Sequence, residues 1–176
     1  MPLLRLVLVG AAAAADATGV EEAAGLLADL IGVCALPPLL AATDQPGQAG
    51  VDTLMAQLIG RDGAWLVPLP QDPGRLQPWG GRWSELLGAW RQPTALLIEA
   101  HQADGGLPAA STALLQHCGV PLLGLIQWGG RFDAQARRRD GLPWLGALAQ
   151  ADSTDANAVL SVSLRQRWVQ FAAEAR

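Results

Sequence analysis

The sequence predicts a three-layer α/β/α fold built on a mainly parallel sheet. Three observations carry that expectation. Short runs of Leu, Val and Ile are apolar at consecutive positions, which suits strands covered on both faces. Between them lie longer segments whose apolar residues return every three or four positions, the period of a helix buried along one side. Gly and Pro separate the two kinds of segment, at spacings that fit one helix per crossover. With 176 residues the chain has material for one domain, 1–176, and 51% hydrophobic content gives that domain a core.

Each element follows in order. Leu3 to Val9 is an unbroken apolar run, apart from Arg5, stopped by Gly10, and reads as a central strand. A helix over Val20–Ile31 is marked by Leu26, Leu27, Leu30 and Ile31, with Glu21 and Glu22 expected in its first turn. Val33 to Leu36 is a short second strand ended by Pro37 and Pro38. A polar loop from Thr43 to Gly50 leads into a helix carrying Val51, Leu54, Met55, Leu58 and Ile59. Trp65 to Val67 is strand-like, and Pro68 to Gly81 reads as a loop because Pro and Gly recur in it. Trp83, Leu86, Leu87 and Trp90 then give one apolar helical stripe. Thr94 to Ile98 is the clearest strand, again central, and ends in Glu99. A helix from Pro108 to His117 follows, with Pro tolerated in its first turn. The last elements are a strand over Val120–Ile126, a polar helix over Phe132–Asp140, a strand over Leu142–Leu145, and a C-terminal helix marked by Leu160, Leu164, Trp168 and Phe171.

Composition narrows the chemistry. All twelve basic residues are Arg, so a phosphate-loop lysine, a Schiff-base lysine and a lysine general base are excluded. Tyr is absent and Asn157 is the only Asn, a bias that a GC-rich bacterial genome explains. A net charge of −4 argues against nucleic acid as a partner, since that affinity rests on phosphate neutralisation. Arg137, Arg138 and Arg139 form the one basic cluster, read as a solvated helix face. Cys34 and Cys118 are too few for a disulfide framework and lie in apolar runs, where buried free thiols in a reducing compartment are expected. The stretch from Leu3 to Ala15 has the look of a signal peptide, but Arg5 interrupts it and Asp16, Glu21 and Glu22 follow it. No apolar run approaches the roughly 18–20 residues of a membrane span, so the expected setting is cytoplasmic, without a membrane partner.

Ligands of open parallel sheets bind beyond the carboxyl ends of the strands. Two loops fall there. The first runs from Gly10 through Asp16, Thr18 and Gly19 to Glu22, and its small residues would let backbone N–H groups approach a phosphate. The second runs from Glu99 through His101, Gly105 and Gly106 to Leu107. Glu99, with Asp16 as partner, could hold a divalent cation directly or through water, or both acids could cap helix starts or face solvent.

These loops carry a resemblance. Asp16-Ala17-Thr18-Gly19-Val20 is similar to the start of the P-loop of dethiobiotin synthetases, T-D-T-G-V-G-K-T, with Glu21 and Glu22 in place of Gly-Lys. Leu97-Ile98-Glu99 with Gly105-Gly106-Leu107-Pro108 resembles that family's V-E-G-A-G-G-L-L-V-P segment. Gly119 to Gly124 is similar to its next G-L-P strand, and Gly141 to Gly146 to the segment before its adenine loop. The resemblance implies a P-loop NTPase-like, Rossmann-like fold. It places Gly10, Asp16, Thr18, Gly19, Gly105 and Gly106 at ATP or another nucleotide, and Asp16 and Glu99 at Mg2+. The missing lysine is the departure, because a cation on transferring phosphoryl oxygens supplies several kcal/mol of transition-state stabilisation.

The expectation is therefore a degenerate relative, a noncatalytic nucleotide-binding or scaffold domain with no catalytic residue. Two alternatives stand beside it: an ATP-dependent synthetase with atypical site chemistry, and an assembly factor that binds no nucleotide but a protein partner or a second copy of itself. His101 remains a ligand contact to consider, while His117 reads as a helix-terminal residue. Of the seven Trp, Trp83 and Trp90 belong to the apolar stripe, and loop residue Trp79, near Arg75 and Arg82, is the one suited to stacking on a planar ligand.

Overall fold

A computed structural model describes residues 3–11, 17–39, 47–149 and 154–174. It contains β1 (Arg5–Gly10), α1 (Ala17–Ile31), β2 (Cys34–Ala35), α2 (Gln48–Ile59), β3 (Trp65–Leu69), α3 (Trp83–Ala89), β4 (Thr94–Glu99), α4 (Leu107–His117), β5 (Leu122–Trp128), α5 (Ala134–Arg139), β6 (Trp144–Leu148) and α6 (Thr154–Glu174). The six strands form one sheet in the order β2-β3-β1-β4-β5-β6, and every pairing is parallel. β1 and β4 lie side by side at its centre, as their unbroken apolar character predicts.

Within each central strand the side chains alternate between two cores. Leu6 and Leu8 of β1 and Ala95 and Leu97 of β4 pack against α1 and α6, together with Leu27, Leu160 and Leu164. Val7 and Val9 of β1 and Leu96 and Ile98 of β4 turn to the opposite layer, where Met55 of α2, Leu87 of α3 and Leu115 of α4 meet them. A sequence with no polar alternation is thus what a sheet covered on both faces requires.

Several boundaries differ from expectation, each for a local reason. β2 shrinks to two exposed residues at the sheet edge. Pro68 lies inside β3 instead of opening the loop. Its carbonyl accepts from Leu39 N on the β2 side, beyond the last residue of β2, so its missing N–H also faces a side where the ladder has ended. β6 begins at Trp144, after Pro143. α1 starts at Ala17, which moves Glu21 and Glu22 out of its first turn, and no acid occupies that turn. α5 is shorter than its polar pattern suggested, because Asp133 caps it: Oδ1 accepts from Gln135 N at 2.9 Å and Ala136 N at 3.0 Å. Cys34 is exposed rather than buried, and Cys118 is half-buried.

The register slips by one residue twice, in β5 between Leu122 and Gly124 and in β6 between Trp144 and Gly146. Gly124, with φ of 156°, sits where a Cβ would lie 2.4 Å from the carbonyl oxygen of Pro143, so only glycine fits this bulge. No helix among the described residues is long and apolar enough to cross a membrane.

Candidate functional site

From β1 the chain runs to the edge strand β2, returns to β3, and then crosses to β4 on the other side of β1. The order therefore reverses between β1 and β4, and the crevice outside their carboxyl ends is the place where such sheets bind ligands. Gly10 ends β1 opposite Leu97 of β4, and the next residue, Ala11, donates its N–H to Leu97 O at 3.1 Å. A Cβ on Gly10 would stand 2.6 Å from Val20 Cγ2, so the glycine is what lets α1 cross the strand end this closely.

Thr18 is exposed in the first turn of α1, and Gly19 follows it over the indole of Trp128, whose Nε1 lies 3.6 Å from where a Cβ would be. Asp16 lies outside the described residues. Glu99 ends β4 in register with Trp128 of β5, and its Oε2 is 3.1 Å from Nδ1 of the exposed His101. It occupies the N-cap position of the 3-10 turn Ala100–Gln102 without a capping bond from its side chain. Gly105 and Gly106 are exposed at the start of α4, where Gly106 is the N-cap. The described candidates thus fall at the ends of β1 and β4 and on the segments that follow them, with Thr18 and Gly19 inside α1. Among the described residues no group of three or more metal-ligating side chains gathers.

Two supports of the crevice were hidden in the sequence. Gln127, only 1% exposed, donates from Nε2 to Gly129 O at 3.0 Å and Arg131 O at 3.2 Å, fixing the turn after β5. Arg137 is the larger surprise, because the triplet Arg137–Arg139 reads as a solvated face. Arg137 is buried: it donates to Ala103 O at 2.5 Å, pairs with Asp104, reaches Asp140 at 3.5 Å, and lies 5.0 Å above the ring of Trp144. It ties the loop that precedes Gly105 and Gly106 to α5 and β6. The signal that separates it from Arg138 is a carboxylate 33 residues away, which local pattern cannot show.

Trp79 is not a free stacking platform. It is half-buried edge-on against Trp83, with ring centroids 5.9 Å apart, and Arg82 beside it is engaged by Glu85 and Gly74 O. Trp83 is fully buried, as its place on the stripe predicted, and donates to Gln71 at 2.7 Å. No protein-family model matches the chain, and no curated protein matches it at a significant level.

Proposed function

We propose that the chain is a noncatalytic nucleotide-binding domain that takes the phosphate end of a nucleotide, with magnesium, in the crevice between β1 and β4. The observation that supports the reading most is the adjacency of these two strands at the point where the sheet order reverses. One strand end leads through small residues into α1, and the other presents Glu99. In this reading the start of α1, at Thr18 and Gly19, faces the phosphates, Gly105 and Gly106 border them, and Glu99 holds the cation directly or through water. Magnesium held by one or two carboxylates and the phosphates themselves needs no all-protein cage. With no lysine anywhere in the chain, charge on a transferring phosphoryl group lacks its usual partner, and binding without turnover follows.

The test is a melting-temperature screen of the whole chain with ATP, ADP and other nucleotides, with and without magnesium. A ligand that binds only the folded state raises its stability, by about 2.7 kcal/mol at a hundredfold excess over Kd. Magnesium-dependent stabilisation by one of these nucleotides is expected. The absence of any shift would overturn the reading, and turnover of about 1–1000 per second lost in Asp16→Ala would replace it with the synthetase reading.

A further inference from the structure

The two edges of the sheet are treated differently. β2 is two residues long and is followed by Pro37 and Pro38, a short, blocked edge of the kind that discourages pairing. β6 is a five-residue edge strand, Trp144-Leu145-Gly146-Ala147-Leu148, with neither a charge nor a proline. Along it runs a cavity of about 580 Å³, walled by Phe132, Arg138, Leu142 and Trp144 on one side and by Asp155 and Val159 of α6 on the other. Val159 is 62% exposed.

The short helix α5 along this edge carries opposite charges at its two ends. Asp133 precedes it, with the charge of Arg131 acting on it, and Arg137–Arg139 close it ahead of Asp140, whose carboxylate is taken up by Arg137, Leu142 N and Trp144 Nε1. Arg137 is consumed internally, but Arg138 and Arg139 make no ion pair among the described residues and are exposed. Asp133 uses Oδ1 for its cap, and Oδ2 bonds to nothing among the described residues. A helix with an acid at its start and bases at its end is complementary to a copy of itself laid antiparallel.

We propose that the β6 edge is a homodimer surface, on which a second copy adds its own β6 antiparallel about a twofold axis normal to the sheet. That rotation keeps each face of the sheet with its like, so α5 lies beside the α5 of the second copy. The start of one helix then comes level with the end of the other, and Asp133 of each copy meets Arg138 and Arg139 of the second. The contact is isologous and closes on itself, giving a dimer and not a filament. The apolar walls of the groove supply the burial, and the reciprocal charges fix the antiparallel direction. This surface is independent of the nucleotide reading, because it lies at the sheet edge, three strands away from β1.

The test measures mass by sedimentation over a range of protein concentrations. The unaltered chain is expected at twice its 18.4 kDa, with a dissociation constant that rises with salt. The double variant Arg138→Asp, Arg139→Asp brings acids against Asp133 and is expected to weaken the dimer about tenfold or more. Asp133→Arg does the same with bases. Neither variant dimerises well alone, but mixed one to one they present opposite charges at both contacts and are expected to form a heterodimer. Circular dichroism on each variant confirms that it is folded. If Asp133→Arg fails to fold, hydrogen exchange of β6 in the unaltered protein decides, protection rising with concentration being the expected result. A monomer at every concentration, a dimer indifferent to both charge reversals, or variants that fail to rescue each other would overturn the proposal.

Discussion

Three consecutive arginines on one short helix have two different fates set by geometry alone. Arg137 points inward to the carbonyl of Ala103 and to Asp104, while its two neighbours face solvent. Asp104 is 86% exposed, so the ion pair itself is weak, and the contribution comes from the buried hydrogen bond and the stacking on Trp144. Arg137→Ala is expected to lower stability by about 1–3 kcal/mol, read from urea unfolding, and Arg138→Ala by no more than about 0.5 kcal/mol. Arg137→Lys should not restore the loss, because the compact ammonium lacks the planar fork that places one nitrogen on the Ala103 carbonyl and a second on the Asp104 carboxylate above the ring of Trp144. At this scale the sequence is opaque for a physical reason. The direction of Arg137 depends on a loop 33 residues away, whereas the cap at Asp133 is satisfied by residues two and three positions on and is local.

Elements meet through a few close approaches, and one at the candidate site is between β1 and α1. Gly10→Ala brings a methyl group within 2.6 Å of Val20 Cγ2 and is expected to cost about 1–3 kcal/mol. Val20→Ala in the same chain should recover part of that cost, and melting of the single and double variants measures the coupling. The cap of α5 makes a second test, through pH. The backbone N–H of Ala136 holds the Asp133 carboxyl below its ordinary value of 3.8 against an opposing cost of desolvation, with the N–H of Gln135 and the nearby Arg131 and Arg137 adding to the lowering. A folded-state value lower than the unfolded one stabilises the fold fully above 3.8, and the contribution disappears as pH falls through the folded value. Asp133→Asn should therefore melt lower than the unaltered chain at neutral pH and converge with it in strong acid. Helix existence was legible from spacing for α1, α2, α3 and α6, and from position and turn chemistry for α4 and α5, but the start of α1 was not. Glu21 and Glu22 look like first-turn acids until the small residues before them prove to continue the helix back to Ala17.

For the molecule as a whole, the class of fold was legible because burial on both faces removes polar alternation from every central strand, a mark that β1 and β4 carry plainly. Strand order was not legible, since nothing local tells β2 to seek the edge and β3 the place beside β1. Of the candidate site, the two loops were readable from the sequence, the contacts of Gln127 and Arg137 beside them were not, and Asp16 lies outside the described residues. Two measurements address this scale. Amide exchange should be slowest in β1 and β4 and fastest in β2, because exchange protection follows depth in the cooperative core. Glu99→Gln should weaken the binding of magnesium–ATP in calorimetric titration, because it removes a charged oxygen while keeping the size of the side chain. Unchanged affinity for a nucleotide that does bind would remove Glu99 from the site.

The slip in β5 decides which side chain supports the crevice. Leu122 packs toward the α2–α4 layer and Leu123 toward the α1–α6 layer, and strict alternation from there would send Gln127 to α1 and Trp128 away from it. The extra residue inverts the parity. Ile126 and Trp128 turn to the α1 side, and Trp128 arrives beneath Gly19. The same seven residues paired in strict alternation from Leu122, without the bulge, would keep their composition yet exchange an indole for an amide under the first turn of α1, whereas deleting Leu123 would leave Trp128 in register with Glu99 and on the α1 side. The odd residue thus works as a frame setting for side chains, in which one position of register is worth the choice between two chemistries at the floor of the crevice.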